Sequence, residues 1–158
     1  MAQYPAWDQD EARSLIAGLA HLEGATLPIL HALQEEFGYV DPQAVPLIAE
    51  ALNLSRAEVH GTISFYHDFR TAPPAGPVIK LCRAEACQAL GCESVVEELS
   101  ARHGIAVDGH HAGDAIVETV YCLGNCALGP SALVDGELIG RVDAARIAGL
   151  CQHGRAHS

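Results

Sequence analysis

Six cysteines stand in the 158 residues of this chain, and they are not evenly spread. "LCRAEACQALGC" at 81 to 92 contains Cys82, Cys87 and Cys92, and "YCLGNCALGP" at 121 to 130 contains Cys122 and Cys126. Thiolates at such short spacing hold metals or do redox chemistry wherever the compartment keeps them reduced. Cys92 falls in line with Val95, Val96 and Leu99, and Cys151 with Ala144, Ile147 and Ala148, the period of a buried helical face. Those two read as small apolar core residues. Cys82 and Cys87 (C-x4-C) and Cys122 and Cys126 (C-x3-C) remain as the candidate ligands.

Two pairs so far apart in sequence make one site only if the elements carrying them bring them together. "VIKLC" (78 to 82) reads as a strand, a helical stretch runs from about Ala86 to His103, and "AIVETVYC" (115 to 122) is again strand-like. A strand, a crossover helix and a returning strand place the two strands parallel, so Cys82 and Cys122 emerge at the same edge of a sheet. Asp135–Gly136 between "SALV" and "ELIGRV" is a type I′ hairpin signal, and a final helix covers Asp143 to about Gln152. The order β-α-β-β-β-α predicts a small α/β domain over 76–158.

Upstream, four helices are expected. The first is "EARSLIAGLAHL", with Ala12, Leu15, Ile16, Leu19 and Leu22 as its stripe. The second is "LPILHALQEEFG", with Pro28 in the first turn and Gly38 at the end. The third follows Asp41–Pro42 with Ala44, Leu47, Ile48, Ala51 and Leu52 on one face. The fourth opens on a Ser55/Glu58 capping box and runs through "VHGTISFYHDF". Short helices on short loops predict a small bundle over 1–72. "TAPPAGP" (71 to 77), with its three prolines, reads as the linker.

The net charge of −11, with Lys80 as the only lysine, disfavours nucleic acid and anionic lipid surfaces and leaves a basic protein partner open. The N-terminal stretch "MAQYPAWDQDEARS" lacks the pattern of a signal peptide, and no apolar run spans a bilayer, so a cytoplasmic location without membrane insertion is expected. Thiols stay reduced there, which argues against disulfides. Spacing alone leaves two fillings open. A [2Fe–2S] cluster takes two thiolates on each iron, and a structural zinc closes a tetrahedron of four. Gly124 and Gly129 would let the backbone turn its N–H groups toward sulfur. No dinucleotide fingerprint, P-loop or nucleophile elbow is present. Glu35–Glu36 and Glu97–Glu98 point apart on helices, His110–His111 read as solvated, and Arg83 and Arg141 as surface charges. "SFYHDF" suits either the bundle core or a contact with another subunit.

The C-x4-C…C-x3-C order, behind a helical bundle, resembles the thioredoxin-like [2Fe–2S] subunit family. Its members include the small flavin-partner subunit of NADH:quinone oxidoreductase (complex I) and counterparts in NAD-linked hydrogenases and NAD-dependent formate dehydrogenases. The resemblance runs from "GATLPILHALQEEFGYV" through "VHGTISFYHDFR" to "CLGNCALGPSALVDGELIG". It implies a thioredoxin-like α/β fold and one [2Fe–2S] cluster, with Cys82 and Cys87 on one iron and Cys122 and Cys126 on the other. "SFYHDFR" and "CRAEACQALG" look most like the gamma subunit of soluble, molybdenum-containing formate dehydrogenase. That likeness implies partners: a flavin- and NAD-binding subunit carrying FMN, and a larger Fe–S subunit carrying the molybdenum cofactor. A one-electron centre cannot itself accept hydride, so that chemistry is expected on the partners.

Overall fold

The structure is a computed structural model and describes residues 4–109 and 115–153. His110 and His111 lie outside the described residues. The chain divides into two compact units, Ala2–Pro73 and Pro74–Ser158. Within the described parts of 71–77 no helix or strand forms, as three prolines without N–H donors dictate.

The first unit holds α1 (Gln9–Leu19), α2 (Thr26–Phe37), α3 (Ala44–Leu52) and α4 (Arg56–Phe65). Asp8 caps α1 by accepting from the N–H groups of Asp10 and Glu11, both at 2.9 Å. Helix α1 stops at Leu19, short of the expected Leu22, because the chain leaves it through turns in which Gly24 takes a positive φ of 68°. Leu22 is accordingly exposed. Gly38 ends α2 in the left-handed region. Asp41–Pro42 does not begin α3; Asp41 accepts from the Gln43 N–H at 2.8 Å in a turn, and the helix starts at Ala44. The Ser55/Glu58 capping box is formed in full.

Helix α4 also ends earlier than its pattern suggests. Gln34 on α2 donates to the Asp68 carbonyl and accepts from the Arg70 N–H, each at 2.7 Å. These bonds draw 66–70 back against the bundle and bury Phe69, while Phe65 and Tyr66 stay exposed. The aromatic run therefore divides its work: Phe69 packs in the core with Ile29, Leu33, Phe37, Ile48 and Val59.

The second unit contains β1 (Val78–Cys82), α5 (Glu85–Ala89), α6 (Cys92–His103), β2 (Ile116–Val120), β3 (Ala132–Val134), β4 (Glu137–Ile139) and α7 (Ala144–His153). The sheet order is β2-β1-β3-β4, with β1 and β2 parallel and the other pairs antiparallel. The single helix expected from Ala86 to His103 is two, because Gly91 adopts a positive φ of 93° that no helix continues through. Asp135 and Gly136, at φ 47° and 90°, make the expected tight turn. Asp135 Oδ1 additionally accepts from the Val78 N–H at 3.0 Å, fastening the hairpin to the start of β1. Ile79, Leu81, Leu99, Val117 and Ile147 form the core between sheet and helices. This is the mixed α/β architecture of a thioredoxin-like domain. Among the described residues no helix is long and apolar enough to cross a membrane.

Candidate metal centre

Parallel pairing sets Cys82 opposite Val120, so β1 and β2 finish level and the chain leaving β2 passes beside Cys82. Cys82 is the last residue of β1 and Cys87 lies in α5; each is 2% exposed. Cys122 lies two residues beyond the end of β2, outside the strand expected to carry it, with a positive φ of 65°. Cys126 opens a 3-10 turn, Cys126–Leu128. Both are exposed, and their sulfurs lie 3.9 Å apart. Cys82 and Cys87 pack together in one buried cluster with Cys92.

The sulfur of Cys82 faces the backbone N–H groups of Ala84, Cys122 and Leu123. Two of those donors belong to the loop carrying the second pair, which ties the pairs together. The Ser131 N–H points at the sulfur of Cys87. Gly124 meets nothing within 4 Å where a Cβ would stand, and serves by its φ of 75°. Gly129 serves by leaving space: a Cβ there would come 3.2 Å from the Cys87 sulfur and 2.9 Å from Leu90 Cδ1. The peptide between Gly129 and Pro130 is cis.

Asn125 and Ser131 also shape the loop, and sequence reasoning did not single them out. The Ser131 hydroxyl, 1% exposed, donates to the Asn125 carbonyl and accepts from the Asn125 side-chain amide, both at 3.2 Å. An asparagine between two ligand candidates, in a glycine-containing loop, is the signal that could have found it. Outside the loop, the N–H groups of Arg141 and Val142 donate to the carbonyls of Leu128 and Pro130 at 2.7 and 2.9 Å.

Electrostatics separate the thiols. Burial acts to raise Cys82, but the Ala84 N–H, the Cys87 thiol and the N–H groups of Leu123 and Cys122 outweigh it and bring the pKa below the ordinary thiol value. Cys87 is raised by burial first and then by Cys82 beside it, despite the Ser131 donor. Cys126 is raised by its contact with Cys122. Negative charge in the buried pair therefore settles first on Cys82, the sulfur with the most donors.

Cys92 is fully buried, as expected, but its neighbours are Cys82 and Cys87 rather than the main core around Leu99. Burial, followed by the charge of Glu93, pushes its pKa up to about 11, so it stays a neutral thiol. Cys151 packs with Ala144, Ile147 and Ala148, as its spacing suggests. Arg83 is not a free surface charge: its Nε and Nη2 donate to the two carboxylate oxygens of Glu93 at 2.9 and 2.7 Å. That guanidinium holds the Glu93 carboxyl below its ordinary range.

Among the described residues no three or more His, Cys, Asp or Glu side chains gather to hold one metal ion. The sulfurs stand as two pairs, one buried and one exposed, and two pairs of soft donors fit two irons. The N–H groups already aimed at Cys82 and Cys87 suit sulfurs that carry negative charge.

Residues 12–154 match the family described as thioredoxin-like [2Fe-2S] ferredoxin. The chain is 30% identical over 133 residues to the HndA component of the NADP-reducing hydrogenase of Solidesulfovibrio fructosivorans, covering 84% of this chain and 78% of that one. It is 30% identical over 138 residues to a component of the NADH-quinone oxidoreductase of Pseudomonas aeruginosa, covering 85% and 83%. Among solved structures it resembles a chain of an NAD+-reducing [NiFe]-hydrogenase in the H2-reduced state, with TM-score 0.68 and 28% identity. That match covers 84% of this chain and 22% of the solved one, so this chain spans under a quarter of its length. The finer likeness to formate dehydrogenase has no counterpart among these three.

Proposed function

The chain belongs to the thioredoxin-like [2Fe–2S] ferredoxin family, whose cofactor is one [2Fe–2S] cluster, and from that premise we propose that it is an electron-transfer subunit of a multi-subunit NAD(P)-linked oxidoreductase. Cys82 and Cys87 bind one iron, and Cys122 and Cys126 the other. When bound, the cluster supplies reversible uptake and release of one electron. The observation that supports this reading is the parallel register of β1 and β2, which ends the strands level, with Cys82 closing β1 and Cys122 two residues past the end of β2.

The chain's own residues bind, insulate and orient. Buried Cys82 and Cys87 anchor one side in the protein, where N–H donors favour charge on sulfur. The Cys122–Cys126 side faces outward, beside Tyr121 and Leu128, which are 73% and 44% exposed. A partner covering these apolar side chains would shorten the electron path and exclude water. On the bundle, Phe65 is 75% exposed and meets Tyr66 edge-on at 5.1 Å, which offers a second contact for the flavin-bearing subunit.

For the holoenzyme we favour a soluble, cytoplasmic, NAD-dependent formate dehydrogenase, supported by the likeness of "SFYHDFR" and "CRAEACQALG" to its gamma subunit. Its partners are then the FMN- and NAD-binding subunit and the larger Fe–S/molybdenum subunit. The equivalent subunit of complex I or of an NAD-linked hydrogenase is the other reading, and the relatives' names favour it. Affinity purification of the tagged chain from its native source distinguishes them. A molybdenum subunit with formate-dependent NAD reduction is expected. Recovery of a nickel–iron subunit or of complex I subunits instead would overturn the formate assignment. Recovery of no flavoprotein at all would count against the electron-transfer role and for a zinc-stabilised interaction module.

A further inference from the structure

The residue after Cys82 is Arg83, and its charge is not left to act alone. The guanidinium makes two parallel hydrogen bonds to the Glu93 carboxylate. Its third nitrogen lies 3.4 Å from Thr119 Oγ1 and 4.0 Å from Asp108 Oδ2. Asp108 is fixed in turn: it sits at a positive φ of 59° and accepts from the Thr119 N–H at 2.6 Å and from the Thr119 hydroxyl. One cation is thus held between two carboxylates drawn from α6 and from the loop before β2. Glu93 lies close to the sulfurs as well. Its Oε1 is 3.8 Å from the sulfur of Cys92, and Cys92 packs directly against Cys82 and Cys87.

We propose that Glu93 lowers the reduction potential of the centre by cancelling the charge of Arg83. The inference rests on the assignment of Cys82 and Cys87 as ligands. One-electron reduction adds one negative charge at the centre, and a nearby uncompensated cation favours that state while an anion opposes it. Arg83 alone would ease reduction; paired with Glu93 and flanked by Asp108 it does not. Arg83 and Glu93 are 28% and 45% exposed, so solvent and salt screen the effect. Glu93 is here a positioning and charge-compensating residue that touches no ligand candidate.

The test compares reduction potentials of the full-length chain reconstituted anaerobically, titrated with dithionite and mediators and read by EPR of the reduced state. Glu93→Gln keeps one acceptor for Arg83 but loses the charge, and its midpoint is expected above wild type. Arg83→Gln is expected to fall below wild type, and the double variant to return near it. A merely structural pair would change cluster yield without opposite shifts in potential. Unchanged midpoints in both single variants, or shifts of the same sign, would overturn the proposal. If Glu93→Gln takes up no cluster, Arg83→Gln decides alone: a midpoint at or above wild type refutes it. A wild-type chain that forms no [2Fe–2S] signal would overturn the ligand assignment and this inference with it.

Discussion

Replacing Cys82 with Ser is expected to abolish iron binding, and with it all visible absorption from the chain. The hydroxyl is a poorer donor to iron than a soft thiolate, and this position loses the sulfur toward which three backbone N–H groups converge. Two of those donors belong to the Cys122 loop, so the loss is expected to reach both pairs. Cys122→Ser is expected to have the same outcome for a different reason: it removes half of the exposed pair, 3.9 Å from Cys126. Cys92→Ala is the informative contrast. Although Cys92 packs against Cys82 and Cys87, its thiol is held neutral near pKa 11, so the variant should keep its iron and lose only about 1–2 kcal/mol of stability. Iron content and visible spectra of anaerobically purified variants check this. Loss of iron in Cys92→Ala with retention in Cys87→Ala would show that the ligand set is drawn wrongly.

Leu81→Ala is expected to destabilise the α/β unit by about 2–5 kcal/mol, the range for truncating a fully buried leucine. Leu81 is 0% exposed on the central strand β1, paired with Thr119 on one side and Ala132 on the other. It immediately precedes Cys82, so a cavity there relaxes the strand end that carries the first ligand. Amide hydrogen exchange across β1, a central strand of the sheet, reads the loss directly, since core strands exchange through the openings of highest free energy. Exchange as slow as in wild type would mean that the core does not depend on the strand supporting the site.

The elements of the second unit were legible in the sequence because their signals are local. Asp135–Gly136 has one dominant conformational outcome between two apolar strands, and "VIKLC" is β-prone and bounded by the proline linker. Legibility failed where tertiary contacts decide. Nothing local in "SFYHDF" shows that Gln34, far away on α2, takes up the backbone of Asp68 and Arg70 and ends α4 at Phe65. Gly91 stands within an otherwise helical pattern that a lone glycine need not interrupt, yet it breaks the helix in two. At the site, residue types and spacing marked the four candidate cysteines. They did not reveal which N–H groups are aimed at the buried sulfurs, those of Ala84, Cys122 and Leu123 at Cys82 and that of Ser131 at Cys87. Nor did they reveal that Arg83 is bound by Glu93, since a carboxylate ten positions away on another element leaves no periodic trace.

The assignment of one [2Fe–2S] cluster to Cys82, Cys87, Cys122 and Cys126 is tested most directly by metal content and spin. The chain is purified without oxygen, assayed for iron, acid-labile sulfide and zinc, and examined by low-temperature EPR before and after dithionite. About two irons and two sulfides per chain, silent when oxidised and giving an S = ½ signal on reduction, are predicted. One tightly bound zinc, with no colour and no signal after reconstitution, would contradict the account and leave the four cysteines a structural clamp.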